Sequence, residues 1–246
     1  MKKLSSFLGM LLLFSSITMA QVGINTDNSW PAASAMLDVK STSKGFLPPR
    51  MTTAQRNLIN SPAAGLTIYN TTRNCNETYN GSSWVSNTHF IGESYCGGIV
   101  FYVYDNGRHG LIVTAADLVT GTGTRWYGGS YTNTRAKADG VGSGLKNTSL
   151  ILANQAPVDG LAFAATLCNE YSVTVGDVTY ADWYLPSKYE LNLLYLQQNV
   201  IGMYTEYYWS STEFNANDAW DQTFYNGQQD HLNKMQYNHV RAIRSF

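Results

Sequence analysis

Between Phe214 and His239 the chain holds five Asn, three Asp, four Gln and two His, so 14 of 26 side chains there carry an amide, acid or imidazole. Groups of these types could hold a metal, move protons or hydrogen-bond a polar ligand, and spacing has to choose among the three. His231 and His239 stand eight apart, and a zinc site would need Asp, Glu or Cys partners converging on them, which the spacing does not supply. Glu213, Asn215, Asn217, Asp218 and Asp221 offer the hard oxygens that calcium takes. No D-x-D-x-D-G loop frames them, so a solvated turn between strands is the simpler expectation, with no cofactor assigned. No G-x-S-x-G nucleophile turn exists, and no catalytic residue is expected. Gly140, Gly142 and Gly144 lack the strand, helix and Lys-Ser/Thr that make a phosphate loop, and read as a flexible loop. His109 reads as a solvated side chain in a turn. Cys75, Cys96 and Cys168 are odd in number; one disulfide with a leftover thiol is open, with no pair chosen, and Cys168 reads as a small buried hydrophobe.

Binding fits the polar stretch better than catalysis. Phe214, Trp220, Phe224, Tyr225 and Tyr237 interleave with the amides and acids. Strand alternation puts Trp220, Gln222 and Phe224 on one face, expected to pack, and Asp221, Thr223 and Tyr225 on the other, expected to face outward. Tyrosine with Asn, Asp and His is the mixture that rigid yet adaptable recognition surfaces use. The candidate ligand residues are Asn215, Asn217, Asp218, Asp221, Tyr225, Asp230, His231, Asn233 and Tyr237. Trp183, Pro186, Trp209, Trp220, Arg241 and Arg244 are the expected framework.

The elements that must position these groups are uneven in clarity. "GGIVFYVYDNGRHGLIVTAADL" reads as two core strands joined at 105–110. Residues 120–149 carry seven of the 21 glycines and read as a long surface excursion. One helix follows with Leu161, Ala164, Ala165 and Cys168 as its apolar stripe. A second starts at the capping box of Ser187 and Glu190, with Tyr189, Leu193, Leu196 and Val200 at helical spacing. Upstream, "SAMLDV" is a short strand, Thr52 and Gln55 form a capping pattern, and Asn80-Gly81 is expected to be a type I′ hairpin turn.

Residues 1–20 read as a secretion signal, with Lys2 and Lys3 before an apolar run from Phe7 to Ile17 and small residues at Thr18 and Ala20. Its removal leaves 14 Lys+Arg against 17 Asp+Glu, a net charge of −3, which gives no electrostatic reason to bind nucleic acid. No later run reaches ~18 apolar residues, so membrane insertion is not expected. Seventeen Tyr, 21 Gly and 13% charged residues suit a secreted or cell-surface, strand-rich protein.

Two resemblances sharpen this. "LDVKSTSKGFLPPRMTTAQRNLI", "SPAAGLTIYNTT" and "YNGSSWV" resemble a module near the N-termini of secreted Bacteroidetes proteins, related to fibre-type proteins, which implies presentation or assembly over residues 21–90. "DWYLPSKYELNLLY", "YYWSSTE", "AWDQTFYNG" and "VRAIRSF" resemble the DUF1566 family, the Lcl C-terminal domain, over residues 91–246. That resemblance implies an α+β, C-type-lectin-like fold: two helices framing a twisted antiparallel sheet, with ligand presented by the late strands and loops. Some members are surface adhesins, one for sulfated glycans; a single Lys or Arg, Lys234, in residues 206–239 argues instead for a neutral glycan or a protein partner. Expected, then, is a non-catalytic, adhesin-like protein recognising an extracellular glycan or protein. The alternative is a structural protein such as the tip of a homotrimeric fibre, and the third reading is a divergent enzyme of the formylglycine-generating fold.

Overall fold

The computed structural model describes residues 21–246, so the expected signal at 1–20 lies outside the described residues. The architecture is α+β, with sheets predominating. In the N-terminal part, β1 (Val22–Ile24) pairs in parallel with β2 (Leu37–Val39). A four-stranded sheet then forms in the order β3 (Arg50–Met51), β4 (Thr67–Asn70), β5 (Cys75–Tyr79), β6 (Trp84–Val85). Helix α1 (Thr53–Arg56) begins at Thr52 with the reciprocal Thr52–Gln55 capping box expected of that pattern. The small sheet has Ile68 and Cys75 as its buried apolar residues, and a polar knot supplements them. Glu77 is fully buried and accepts from Asn70 (2.9 Å), Arg56 (2.6 Å) and Arg73 (2.7 Å). Burial opposes the Glu77 charge, but the amide and the two guanidinium groups outweigh it and hold its pKa below the ordinary value.

The C-terminal part places two sheets around two contiguous cores. One sheet is antiparallel in the order β15 (Ile243–Ser245), β9 (His109–Thr114), β8 (Gly98–Tyr104), β7 (Ser94–Tyr95). Successive residues of β9 feed both cores: Ile112 packs with Val100, Trp126, Trp183 and Trp209, whereas Leu111 and Val113 pack with Phe101, Tyr184, Leu194 and Tyr208. Burial on both faces is why these strands read as unbroken apolar runs. Each buried indole finds a carbonyl: Trp126 donates to Ser210 (2.8 Å), Trp209 to Thr124 (2.8 Å) and Trp183 to Tyr180 (3.1 Å). The second sheet runs β12 (Tyr207–Glu213), β13 (Asp218–Thr223), β14 (Gln229–Asn233), all antiparallel. Helices α2 (Ser143–Asn154) and α4 (Lys188–Leu196) pack beside it, α3 (Ala164–Glu170) packs on α2, the short α5 (Gln198–Ile201) packs on β8, and β10 (Val173–Val175) with β11 (Val178–Tyr180) makes an extra hairpin.

Several expectations are corrected. Residues 120–149 are no loose excursion: Trp126 and Ala136 are fully buried, and residues 143–149 belong to α2. Gly140, Gly142 and Gly144 are not a flexible loop either. Gly142 sits at φ +82° as the residue preceding α2, and a Cβ on Gly144 would come within 2.6 Å of the Leu185 carbonyl. Their amides do meet an anion, one supplied by the protein: Gly142 and Gly144 donate to the Glu190 carboxylate at 2.7 and 3.0 Å. The same carboxylate accepts from Ser187 N–H at 2.8 Å in the Ser187–Glu190 capping box of α4.

That inward Glu190 sets the phase of α4, whose buried positions are Glu190, Leu191 and Leu194. Tyr189, Leu196 and Val200, expected on the apolar stripe, are exposed. The expected stripe of Tyr189, Leu193, Leu196 and Val200 is therefore rotated from the face that α4 buries. Ala164, Ala165 and Cys168 are buried in α3 as expected, but Leu161 precedes the helix and is exposed. At Asn80-Gly81, glycine alone has positive φ; the Asn80 side chain accepts from the Ser82 and Ser83 amides and shapes a four-residue link instead. Two consecutive positive φ values, the type I′ requirement, occur at Cys96-Gly97 between β7 and β8. Cys75, Cys96 and Cys168 are all free thiols.

Candidate functional site

The polar stretch folds as β13, β14 and their links, and its two faces do different work. On the α4 side, Lys188 Nζ lies 3.5 Å from the Trp220 ring centroid, and Gln222 donates to Asn192 at 3.0 Å and to the Gly227 carbonyl at 3.0 Å. Phe214 stacks on His231 at 3.8 Å and meets Trp220 edge-on at 5.5 Å. Trp220 is therefore half-buried framework, and Gln222 and Phe224 are fully buried.

The opposite face borders a concave site of 610 Å³ lined by Tyr207, Asp221, Thr223, Tyr225, Asp230 and Asn238, with Thr205, Asn226, Gln228, His231 and Leu232 completing the rim. Asp221 does lie on this side, as alternation requires, but it is only 5% exposed, so the outward-facing expectation is corrected. Its Oδ2 accepts from the Asn238 amide at 3.0 Å. Asn238 is held by a two-way backbone bridge to Thr124, at 2.9 and 3.0 Å. Gly123 allows that approach, because a Cβ there would meet the Asn238 backbone at 2.3 Å. Burial raises the Asp221 pKa to about 6, and the Asp230 charge adds to the rise while the Asn238 amide opposes it. Tyr225 is 81% exposed at the mouth. No Lys or Arg lines the site.

Asp221, Tyr225 and Asp230 are thus brought together; His231 borders the rim from β14 but its ring lies on the other face against Phe214 and Trp220, and the other candidates are elsewhere. Asn215 accepts from the Asn217 and Asp218 amides (2.7 and 2.8 Å) and shapes the β12–β13 turn. Asn233 accepts from the Tyr131 hydroxyl at 2.7 Å. Tyr237 borders a neighbouring hollow with Tyr207 and His239. The oxygens weighed for calcium scatter as well: Glu213 is fully buried on Lys234 (2.7 Å), and no group of three or more His, Cys, Asp or Glu close enough to hold a metal occurs among the described residues.

Of the framework residues, Trp183 and Trp209 are core, and the buried Pro186 accepts from Ser211 N–H at 2.7 Å. Arg244 grips Asp182 with two bonds, 2.6 and 3.1 Å, and lies 4.6 Å from the Tyr180 ring. Arg241 pairs with Asp117 at 3.4 Å, and Asp117 also meets the Tyr208 hydroxyl and His239 Nδ1 (2.7 Å). Asp117 escaped the sequence reading because its partners lie 91 to 124 residues away. Lys234 had a signal, being a lone cation in a polar stretch. Its ammonium reaches Glu213, Thr132 O (3.1 Å) and Ala216 O (2.9 Å), which uses all three donors. Glu213 in turn accepts from the Thr134 and Arg135 amides at 2.8 and 3.0 Å, so this ion pair ties the 132–135 segment to the sheet.

A family model described as a phage tail like trimerisation region matches residues 23–108. The match spans both N-terminal sheets and ends just beyond β8. No curated protein matches the chain.

Proposed function

We propose that the chain is a homotrimeric assembly protein, in which the N-terminal part joins three copies and the C-terminal unit is held out from them. One observation carries this. From Gln21 to Thr67 no residue is buried, although the stretch holds β1, β2, β3, the start of β4 and a capped helix. Fixing a backbone costs about 1–2 kcal/mol per residue, which apolar burial normally offsets. Here Trp30 is 93% exposed, Leu58 82%, Met36 71% and Phe46 70%. An apolar surface of that kind marks an interface, and the likeness to a trimerisation region supports further copies of this chain as the cover. The test is light scattering coupled to size exclusion. The mass expected is three times that of one chain, and Leu37→Asp with Phe46→Asp should release monomers. A wild-type chain that runs as a monomer at micromolar concentration would sink the reading.

The cavity beside Asp221 favours a second reading, in which the C-terminal unit of each copy recognises an extracellular ligand without turnover. The two longer helices α2 and α4 against antiparallel sheets support a C-type-lectin-like layout, as does the resemblance across residues 91–246. Secretion to the cell surface rests on the sequence pattern of residues 1–20.

A further inference from the structure

The sheet formed by β12, β13 and β14 sets two carboxylates opposite one another, and no Lys or Arg lines the cavity they share. Asp221 and Asp230 are direct cross-strand partners. Opposed positions bring Cβ atoms to about 4.5–5.5 Å, where like charges repel. Other buried carboxylates meet cations, Glu77 with Arg56 and Arg73, Glu213 with Lys234 and Asp117 with Arg241, while Glu190 has no cation but accepts from the Gly142, Gly144 and Ser187 amides. Asp221 has fewer partners than any of these. It is 95% buried by its 5% exposure, one oxygen takes a neutral amide, and no neighbouring side chain among the described residues donates to the other. Both carboxylates line the open cavity, and Tyr207 and Tyr225 border it with rings that a cation can lie against.

We propose that this cavity binds a basic side chain, arginine or lysine, presented by an extended peptide segment of a partner protein, with Asp221 and Asp230 as counter-ions. The proposal rests on the second reading above and is independent of the trimer. A peptide is favoured because β14, which carries Asp230, is the outer strand of its sheet. Its edge can pair with an added strand while the side chain enters the cavity. A bare calcium ion fits poorly, since it wants 6–8 oxygens and the cavity offers two carboxylates.

The test uses the full mature chain at pH 7.5 and fluorescence anisotropy of a labelled Gly-Arg-Gly-Arg-Gly peptide. Its partner probe carries citrulline in place of arginine, nearly the same shape without the charge. The arginine peptide should bind at least tenfold tighter, and Asp221→Asn and Asp230→Asn should each lose about tenfold or more, as expected for charged hydrogen bonds. Asp177→Asn, in the exposed turn between β10 and β11, removes the same charge elsewhere and should change nothing. Thermal melts confirm that each variant is folded. Equal binding of the two peptides, or binding of neither at millimolar concentration, overturns the proposal. A glucosamine tetramer bound in place of peptide overturns the partner class. Binding of its N-acetylated form alone overturns the cation while leaving ligand recognition standing, and failure of every probe removes the second reading too.

Discussion

Replacing Asp221 by Asn should stabilise the protein at neutral pH and do nothing at pH 4. Burial lifts the Asp221 pKa from 3.8 to about 6, so the folded state holds its proton more tightly than the unfolded chain does. A raised pKa contributes stability that is fully present below the unfolded value and is lost as pH climbs through the folded value. The shift of roughly two units corresponds to about 3 kcal/mol lost between pH 4 and pH 6. The groups facing Asp221 agree with that sign: Asp230 on β14 raises the pKa, whereas Asn238 and His231 oppose the rise without cancelling it. Asn keeps the shape and has no charge to desolvate. Thermal melts followed by circular dichroism, at fixed protein concentration from pH 4 to pH 8, should show the two proteins converging at pH 4. They should separate by roughly 6–12 °C at pH 7.5, the variant higher. A variant that melts lower at pH 7.5, or a gap that does not change with pH, would refute the assignment of Asp221 as an uncompensated buried carboxylate.

Two further outcomes are expected. Lys234→Met leaves Glu213 buried without its cation and should cost about 3–5 kcal/mol in urea unfolding. The double variant with Glu213→Gln should recover part of that loss; equal stability of wild type and Lys234→Met would contradict the buried pair. Gly144→Ala drives a methyl toward the Leu185 carbonyl and Glu190, so a cost of about 1–3 kcal/mol is expected. An unchanged melt would show that the α2 start yields freely.

What the sequence made legible was local. Both capping boxes, at Thr52 and Ser187, depend on groups three residues apart and could be read directly. The β8–β9 pair followed from runs apolar enough for two-sided burial, and the β13 alternation separated Trp220 from Asp221. Helix α2 stayed hidden because Ser, Gly, Asn and Thr make up half of it, and its first turn is fixed by a carboxylate 46 residues away. The burial of Asp221 stayed hidden for the same reason: its cover is Asn238, held by Thr124 across more than a hundred residues. Lys234 could be singled out as unusual, but only the position of Glu213 and the backbone of the 132–135 segment reveal that it points inward. Long-range polar pairing leaves no periodicity in the chain, whereas caps and alternation do.

The Glu190 carboxylate ends the first turns of two helices at once, taking Gly142 and Gly144 from α2 and Ser187 from α4. These amides therefore share one lock. Freeing any of them by turning the Glu190 side chain away frees all three, so hydrogen exchange at Gly142, Gly144 and Ser187 should proceed at matched rates as a single opening unit. Segments more than forty residues apart in the chain are thereby made to breathe together. The start of α2, poor in helix-forming residues, inherits the persistence of α4.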